Sequence, residues 1–132
     1  MHRILVVSPN RDALSVLAST LKKHNDVDLF WVESGGKALE TVSDTTFDLV
    51  VTEERLEDMT GFELAGKLIS VNPMINCAVI STLSPEDFHE ASEGLGLLAQ
   101  LPAQPTKEQT EELLQRLKNL KDLMSGVNVR RT

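Results

Sequence analysis

Five short apolar runs, at residues 4–7, 29–32, 49–52, 77–80 and 97–101, alternate with five stretches of helical periodicity. That alternation constrains the fold more than any other feature of the chain. The runs are mostly rich in β-branched residues and too short for helices, so they read as strands buried on both faces, the fifth being the weakest. Between them, residues 12–24 predict a helix with Leu14, Leu17 and Leu21 on one face and Asn10 as its N-cap. Ser34 caps a short second helix that carries Ala38, Leu39 and Val42. Thr60-Gly61-Phe62-Glu63 has capping-box spacing and opens a third, with Phe62, Leu64, Ala65 and Leu68 available for burial and Pro73 closing the segment. Ser84-Pro85 starts a fourth, with proline at the first helical position. Thr106-Lys107-Glu108-Gln109 is another capping box, opening a last helix striped by Leu113, Leu117, Leu120 and Met124.

Strand then helix, repeated five times with short loops, calls for a parallel sheet covered on both faces. Right-handed crossovers leave few topologies, and the obvious one is an α/β flavodoxin-like three-layer α/β/α sandwich. It has a five-stranded parallel sheet in the order 2-1-3-4-5 and five helices. Its strand C-termini form one functional rim, gathering the loops after Val7, Thr52, Ile80 and Leu101. Residues 1–124 make the domain, and 125–132 read as a flexible tail or the start of a linker.

At 132 residues the chain is one domain with a single sizeable core. No apolar run approaches the length of a membrane span, and no secretion signal is visible at the N-terminus. Cys77 is the only cysteine, which rules out an internal disulfide and suits a reducing cytoplasm. It lies in an apolar strand and reads as an inert core thiol. A net charge of −7 argues against nucleic-acid binding, because two arginines, Arg130 and Arg131, do not make a polybasic tail. His2, His24 and His89 are far apart and have no metal-ligand spacing. Gly35-Gly36-Lys37 lacks the upstream glycine and trailing hydroxyl of a phosphate loop and reads as a shaped turn. Gly94-Leu95-Gly96 reads as a helix exit, and Trp31, on the predicted edge strand, as a core aromatic.

The rim is where chemistry concentrates. In "FDLVVTEERLEDMTG", residues 47–61, an apolar strand ends in two adjacent carboxylates, Glu53 and Glu54, followed by Glu57 and Asp58. Such a cluster holds a cation only if two of its members face one point. "ILVVSPN", "ESGGKALE", "FDLVVTEERLEDMTGFELAGKL", "AVIST" and "LPAQP" together resemble, in register over about residues 3–124, the receiver domain of two-component response regulators. The resemblance implies a signalling domain that accepts a phosphoryl group on an aspartate, beside a divalent cation held by further acids. It also implies a partner or dimer face made by the fourth helix, fifth strand and fifth helix, here about residues 85–124.

Carried over residue by residue, the resemblance places the acidic pair on Ser8 and Pro9 and the phosphoacceptor on Glu53. The switch hydroxyl falls on Ser81, and the lysine on Gln104, or on Ala103 if a one-residue insertion is placed differently. The switch aromatic falls near Gln100. Only the hydroxyl is retained. With Ser8 and Pro9 in place of acids, magnesium is expected to bind weakly or not at all, and no cofactor is expected. A phosphoryl group would then lack both the cation and the lysine that neutralise it. Glu53 either holds Ser81 by a hydrogen bond, as a fixed mimic of the charged state, or is a solvated rim residue. The expected function is an atypical, phosphorylation-independent receiver-like module, not an enzyme, because no nucleophile, base and orienting group stand together. Its expected partner is another signalling protein or a second copy, with no nucleic acid or membrane. The alternatives are a working phosphoacceptor that uses Glu53 and a small-anion or nucleotide binder in the vacated pocket.

Overall fold

A computed structural model describes residues 1–126, with side chains through Leu123. Strands β1 (His2–Val7), β2 (Val27–Val32), β3 (Leu49–Glu53), β4 (Asn76–Ile80) and β5 (Ala99–Leu101) form one parallel sheet in the order β2-β1-β3-β4-β5. Helices α1 (Ser15–Lys22), α2 (Gly35–Asp44), α3 (Gly61–Val71), α4 (Pro85–Ala91) and α5 (Lys107–Gly126) make the crossovers. Architecture and strand order are those expected from the alternation. Residues 127–132, with Arg130 and Arg131, lie outside the described residues, as does the Met124 side chain of the α5 stripe.

Period-two alternation sorts the strand residues between two cores. Ile4, Val6, Leu49, Val51, Ala78 and Ile80 face α1 and α5, meeting Leu14, Leu17, Leu21, Leu113, Leu114 and Leu117. Leu5, Val7, Val50 and Cys77 face the other way, onto Ala38 and Val42 of α2 and Leu64, Ala65 and Leu68 of α3. Phe88 of α4 packs edge-on against Phe62, ring centroids 5.5 Å apart.

The expected caps form. Ser34 accepts from the Lys37 N–H at 3.1 Å, and Ser84 from that of Asp87 at 3.1 Å. Thr60 and Glu63 close a reciprocal box at 3.1 and 3.2 Å, as Thr106 and Gln109 do at 3.1 and 2.9 Å. Each such cap is worth about 1 kcal/mol.

Several boundaries differ from expectation. The first helical segment opens as a 3-10 turn, Asp12–Leu14, because Leu14 sits at φ −111°, ψ 20°, outside α geometry; Asn10 still accepts from the Ala13 N–H at 3.2 Å. β1 and β2 begin two residues early, since the ladder pairs backbones and continues through polar positions, His2 with Val27 and Arg3 with Asp28. β5 is only three residues long, pairing Ala78–Ile80 of β4 through Ala99–Leu101.

Burial pushes the Cys77 thiol up to about 12, so the folded chain strongly disfavours the thiolate, the reactive form. Iodoacetamide at mildly alkaline pH is therefore expected to label Cys77 only through unfolding, at a rate that tracks added urea. Rapid labelling without urea would show an accessible thiol.

Candidate functional site

Two parallel registers set a serine beside each rim carboxylate. β1 and β3 pair Val7 with Thr52, so the next step brings Ser8 to Glu53. β3 and β4 pair Glu53 with Ile80, so the next step brings Glu54 to Ser81. The side chains follow: Ser8 Oγ donates to Glu53 Oε2, and Ser81 Oγ donates to Glu54 Oε1 at 2.6 Å. Each hydroxyl also accepts the backbone N–H two residues on, from Asn10 at 2.9 Å and Leu83 at 3.1 Å, the local turn that serine favours. Both serines are buried, and both carboxylates are half-exposed.

This corrects the expectation that Glu53 holds Ser81. Glu54, to which sequence reasoning gave no such role, takes that hydroxyl, while Glu53 is closed from the opposite side by Ser8. Glu53, Glu54, Arg55, Ile80, Ser81, Thr82 and Ala103 line a shallow pocket here. Of the two positions that the resemblance offers for the lysine, Ala103 lines this pocket and Gln104 does not, and the Ala103 methyl brings no charge. Gln104 lies instead in a separate depression with Asp12, Ala13 and Lys107 at the start of α1. Among the described residues Arg55 is the only cation lining the pocket; it is exposed, and two carboxylates outnumber it.

The remaining candidates disperse. Pro9 is exposed and offers no side-chain donor, and Glu57 points to solvent. Asp58 turns away to the N-terminus of α2, accepting from the N–H groups of Gly35 at 3.0 Å and Gly36 at 2.8 Å. Those bonds, from Gly36 first and then Gly35, hold its carboxyl below the usual range. The stabilisation it gives is present at neutral pH and is lost as acid protonates it. The Gly35-Gly36 amides are thus occupied by an internal anion. Among the described residues no group of three or more His, Cys, Asp and Glu side chains converges on a point.

Two further residues brace the rim. Trp31 packs partly against the α1–α5 core, as expected of a core aromatic, but its Nε1 also donates to the Ser8 carbonyl at 2.8 Å. The Arg11 guanidinium stacks 4.9 Å above its ring. Gln100 Nε2 donates to the carbonyls of Ser81 at 3.2 Å and Leu83 at 2.8 Å, tying β5 to the loop after β4. Neither bond was legible beforehand, because both depend on loop paths that periodicity does not encode.

The carboxylates that could hold the divalent cation implied by the resemblance are Glu53 and Glu54, each of which already accepts a serine hydroxyl on one oxygen. Magnesium requires near-octahedral oxygen coordination, usually with one or two carboxylates. Beside Glu53 the chain presents a hydroxyl already hydrogen-bonded to that carboxylate, and then a proline. Glu54 is committed to Ser81.

Residues 4–118 match the sequence profile of the response regulator receiver domain. A protein named as a response regulator receiver protein, from Anaeromyxobacter sp. (strain Fw109-5), is 36% identical over 102 residues. The match covers 77% of this chain but 42% of that relative, so this chain spans less than half of its length. The chemotaxis response regulator CheY4 of Vibrio cholerae superposes with a TM-score of 0.79 at 19% identity, over 89% of this chain and 98% of that one. A CheY-like receiver domain protein of Methanospirillum hungatei JF-1 gives 0.80 at 19% identity, over 92% and 98%. At those identities the likeness to solved structures is one of fold.

Proposed function

The chain belongs to the response regulator receiver-domain family of two-component systems, and from that premise we propose that it signals by docking to another protein without accepting a phosphoryl group. The observation that carries this reading is the Ser8 hydroxyl on Glu53. The side chain at the position that the resemblance gives to the first acid caps the carboxylate at the position it gives to the acceptor, so this carboxylate is satisfied by a neutral donor. Phosphoryl transfer is mostly charge neutralisation and positioning, and it requires positive charge where the phosphoryl group lands. At the positions that the resemblance gives to the cation-binding acids stand Ser8 and Pro9, and Ala103, without charge, lines the pocket beside Glu53 and Ser81.

The pocket's contacts support a fixed conformation. Glu54, Ser81, Leu83 and Gln100 form a continuous set of hydrogen bonds across β3, β4 and β5. They hold the loop that leads into α4, and with it the face made by α4, β5 and α5. The domain thus presents that face to its partner constitutively.

Trp31, the only tryptophan, is bonded to Ser8 and reports directly on this pocket. Its emission is expected to stay flat when magnesium is titrated in, with or without beryllofluoride as a phosphoryl mimic. A saturable change with magnesium would refute the reading.

A further inference from the structure

We propose that the groove between α4 and β5 receives a basic, amphipathic segment of a partner protein; this rests on the docking reading and specifies the partner's chemistry. The groove has an apolar floor of Phe88, Leu97 and Ala99, with Pro85 at one end and Gly94 and Gly96 at the other. Both glycines hold left-handed backbone, φ 82° and 59°, and no atom lies within 4 Å of where a Cβ would stand, so that end is open.

On the α4 side of this floor the carboxylates dominate; His89 also lines the groove, and Arg116 of α5 reaches the chain just before β5 from the opposite side, donating to the Leu98 carbonyl at 2.9 Å. No lysine or arginine occurs between Lys67 and Lys107, and the acids in that span are Glu86, Asp87, Glu90 and Glu93. All four are exposed on α4 and the turn after it. Glu86 and Glu90 stand one turn apart on α4, and Glu93, in the turn after the helix, lines the groove. The ion pairs among the described residues use Asp26, Asp28, Asp48 and Glu111, at the other end of the strands and on α5, and none of these four. These four carboxylates are therefore not paired with a described basic side chain.

That charge selects the occupant. A symmetric dimer through this face would bring the same acids against one another, and like charges across an interface oppose association. Nucleic acid and anionic membrane are repelled for the same reason. A protein segment with apolar side chains for the floor and Lys or Arg for the acids meets both features.

The test uses three synthetic peptides with the same leucine face and a polar face of lysine, serine or glutamate. Each is titrated into the isotope-labelled domain and followed by amide shifts. The lysine peptide is expected to shift residues 88–99 selectively. The triple variant Glu86→Lys/Glu90→Lys/Glu93→Lys should weaken it by about tenfold or more, as should raising salt from about 0.05 to 0.5 M. Reversing charge at Glu40 and Asp44, on α2, should leave it unchanged. Shifts spread over the whole acidic surface, or binding that survives the triple variant, would overturn the proposal. Serine or glutamate peptides seated equally well in the groove would remove the charge selectivity but leave the docking reading intact. That reading fails separately, on a stable phosphoryl adduct.

Discussion

Gly61→Ala is expected to destabilise the domain by about 3 kcal/mol, lowering the thermal midpoint by about 10 °C. A Cβ at Gly61 would overlap the carbonyl oxygen of Glu53 and stand 3.1 and 3.2 Å from Glu53 C and Glu54 Cα. All three atoms are backbone, so relief requires moving the end of β3 against the start of α3. The Gly61 N–H also donates to the Glu54 carbonyl at 2.7 Å, so the same shift strains the carboxylate that holds Ser81. Alanine's helix propensity works in the opposite direction but is worth about 1 kcal/mol at most, and the steric overlap prevails. Gly66→Ala is the built-in contrast. Its Cβ would meet only Leu95 Cδ2, at 3.6 Å, an ordinary contact in the middle of α3. That variant is expected to be neutral or to stabilise by about 0.5–1 kcal/mol. Urea unfolding of both variants checks the pair; equal stabilities would mean that the loop between β3 and α3 gives way more easily than its geometry implies.

Ser8→Asp/Pro9→Asp is expected to make the stability of the domain depend on divalent cation. Ser8 is buried and donates to Glu53, so an aspartate there exchanges a hydrogen-bond donor for a second negative charge. Two unit charges at about 4 Å cost about 2 kcal/mol at a dielectric between those of protein and water, and the lost hydrogen bond adds to it. Pro9 is exposed, so its replacement adds a carboxylate at little structural cost. Two carboxylates beside Glu53 form a ligand set that magnesium accepts. At a hundredfold excess over its dissociation constant the ion would return about 2.7 kcal/mol. Thermal unfolding with and without magnesium should therefore separate the two proteins. The variant should be less stable than the native chain in chelator and regain stability with the metal, while the native chain should show no response. A variant as stable as the native chain in chelator would mean that Ser8 and Glu53 are not coupled.

The fold was legible because its signals are local. Four capping serines and threonines, the helix-spaced leucines and the β-branched runs each act within a few residues, and together they leave few topologies, of which the observed one is the most obvious. The rim carboxylates and serines stood out in the sequence, but their pairings did not. Glu53 and Glu54 are neighbours in sequence, and only the inter-strand registers decide that Ser8 meets the first and Ser81 the second. Register depends on contacts between residues 27 and 45 positions apart, beyond any local pattern. Ala103 and Gln104 could not be separated for a related reason, since the loop after β5 has no period to count by. The bonds of Gln100 and the Trp31 N–H to backbone carbonyls were hidden too, because such acceptors exist at every residue and only the folded path selects among them. Asp58 looked like a member of a carboxylate cluster. Two open amides at the start of α2 claim it instead.

Incubating the native chain with magnesium and a small-molecule phosphodonor, and weighing the intact protein over time, tests the central claim most directly. An unchanged mass is expected under conditions that fully modify a receiver domain with an aspartate acceptor and an intact acidic pair. A stable gain of one phosphoryl group, lost on substituting Glu53→Gln, would contradict it.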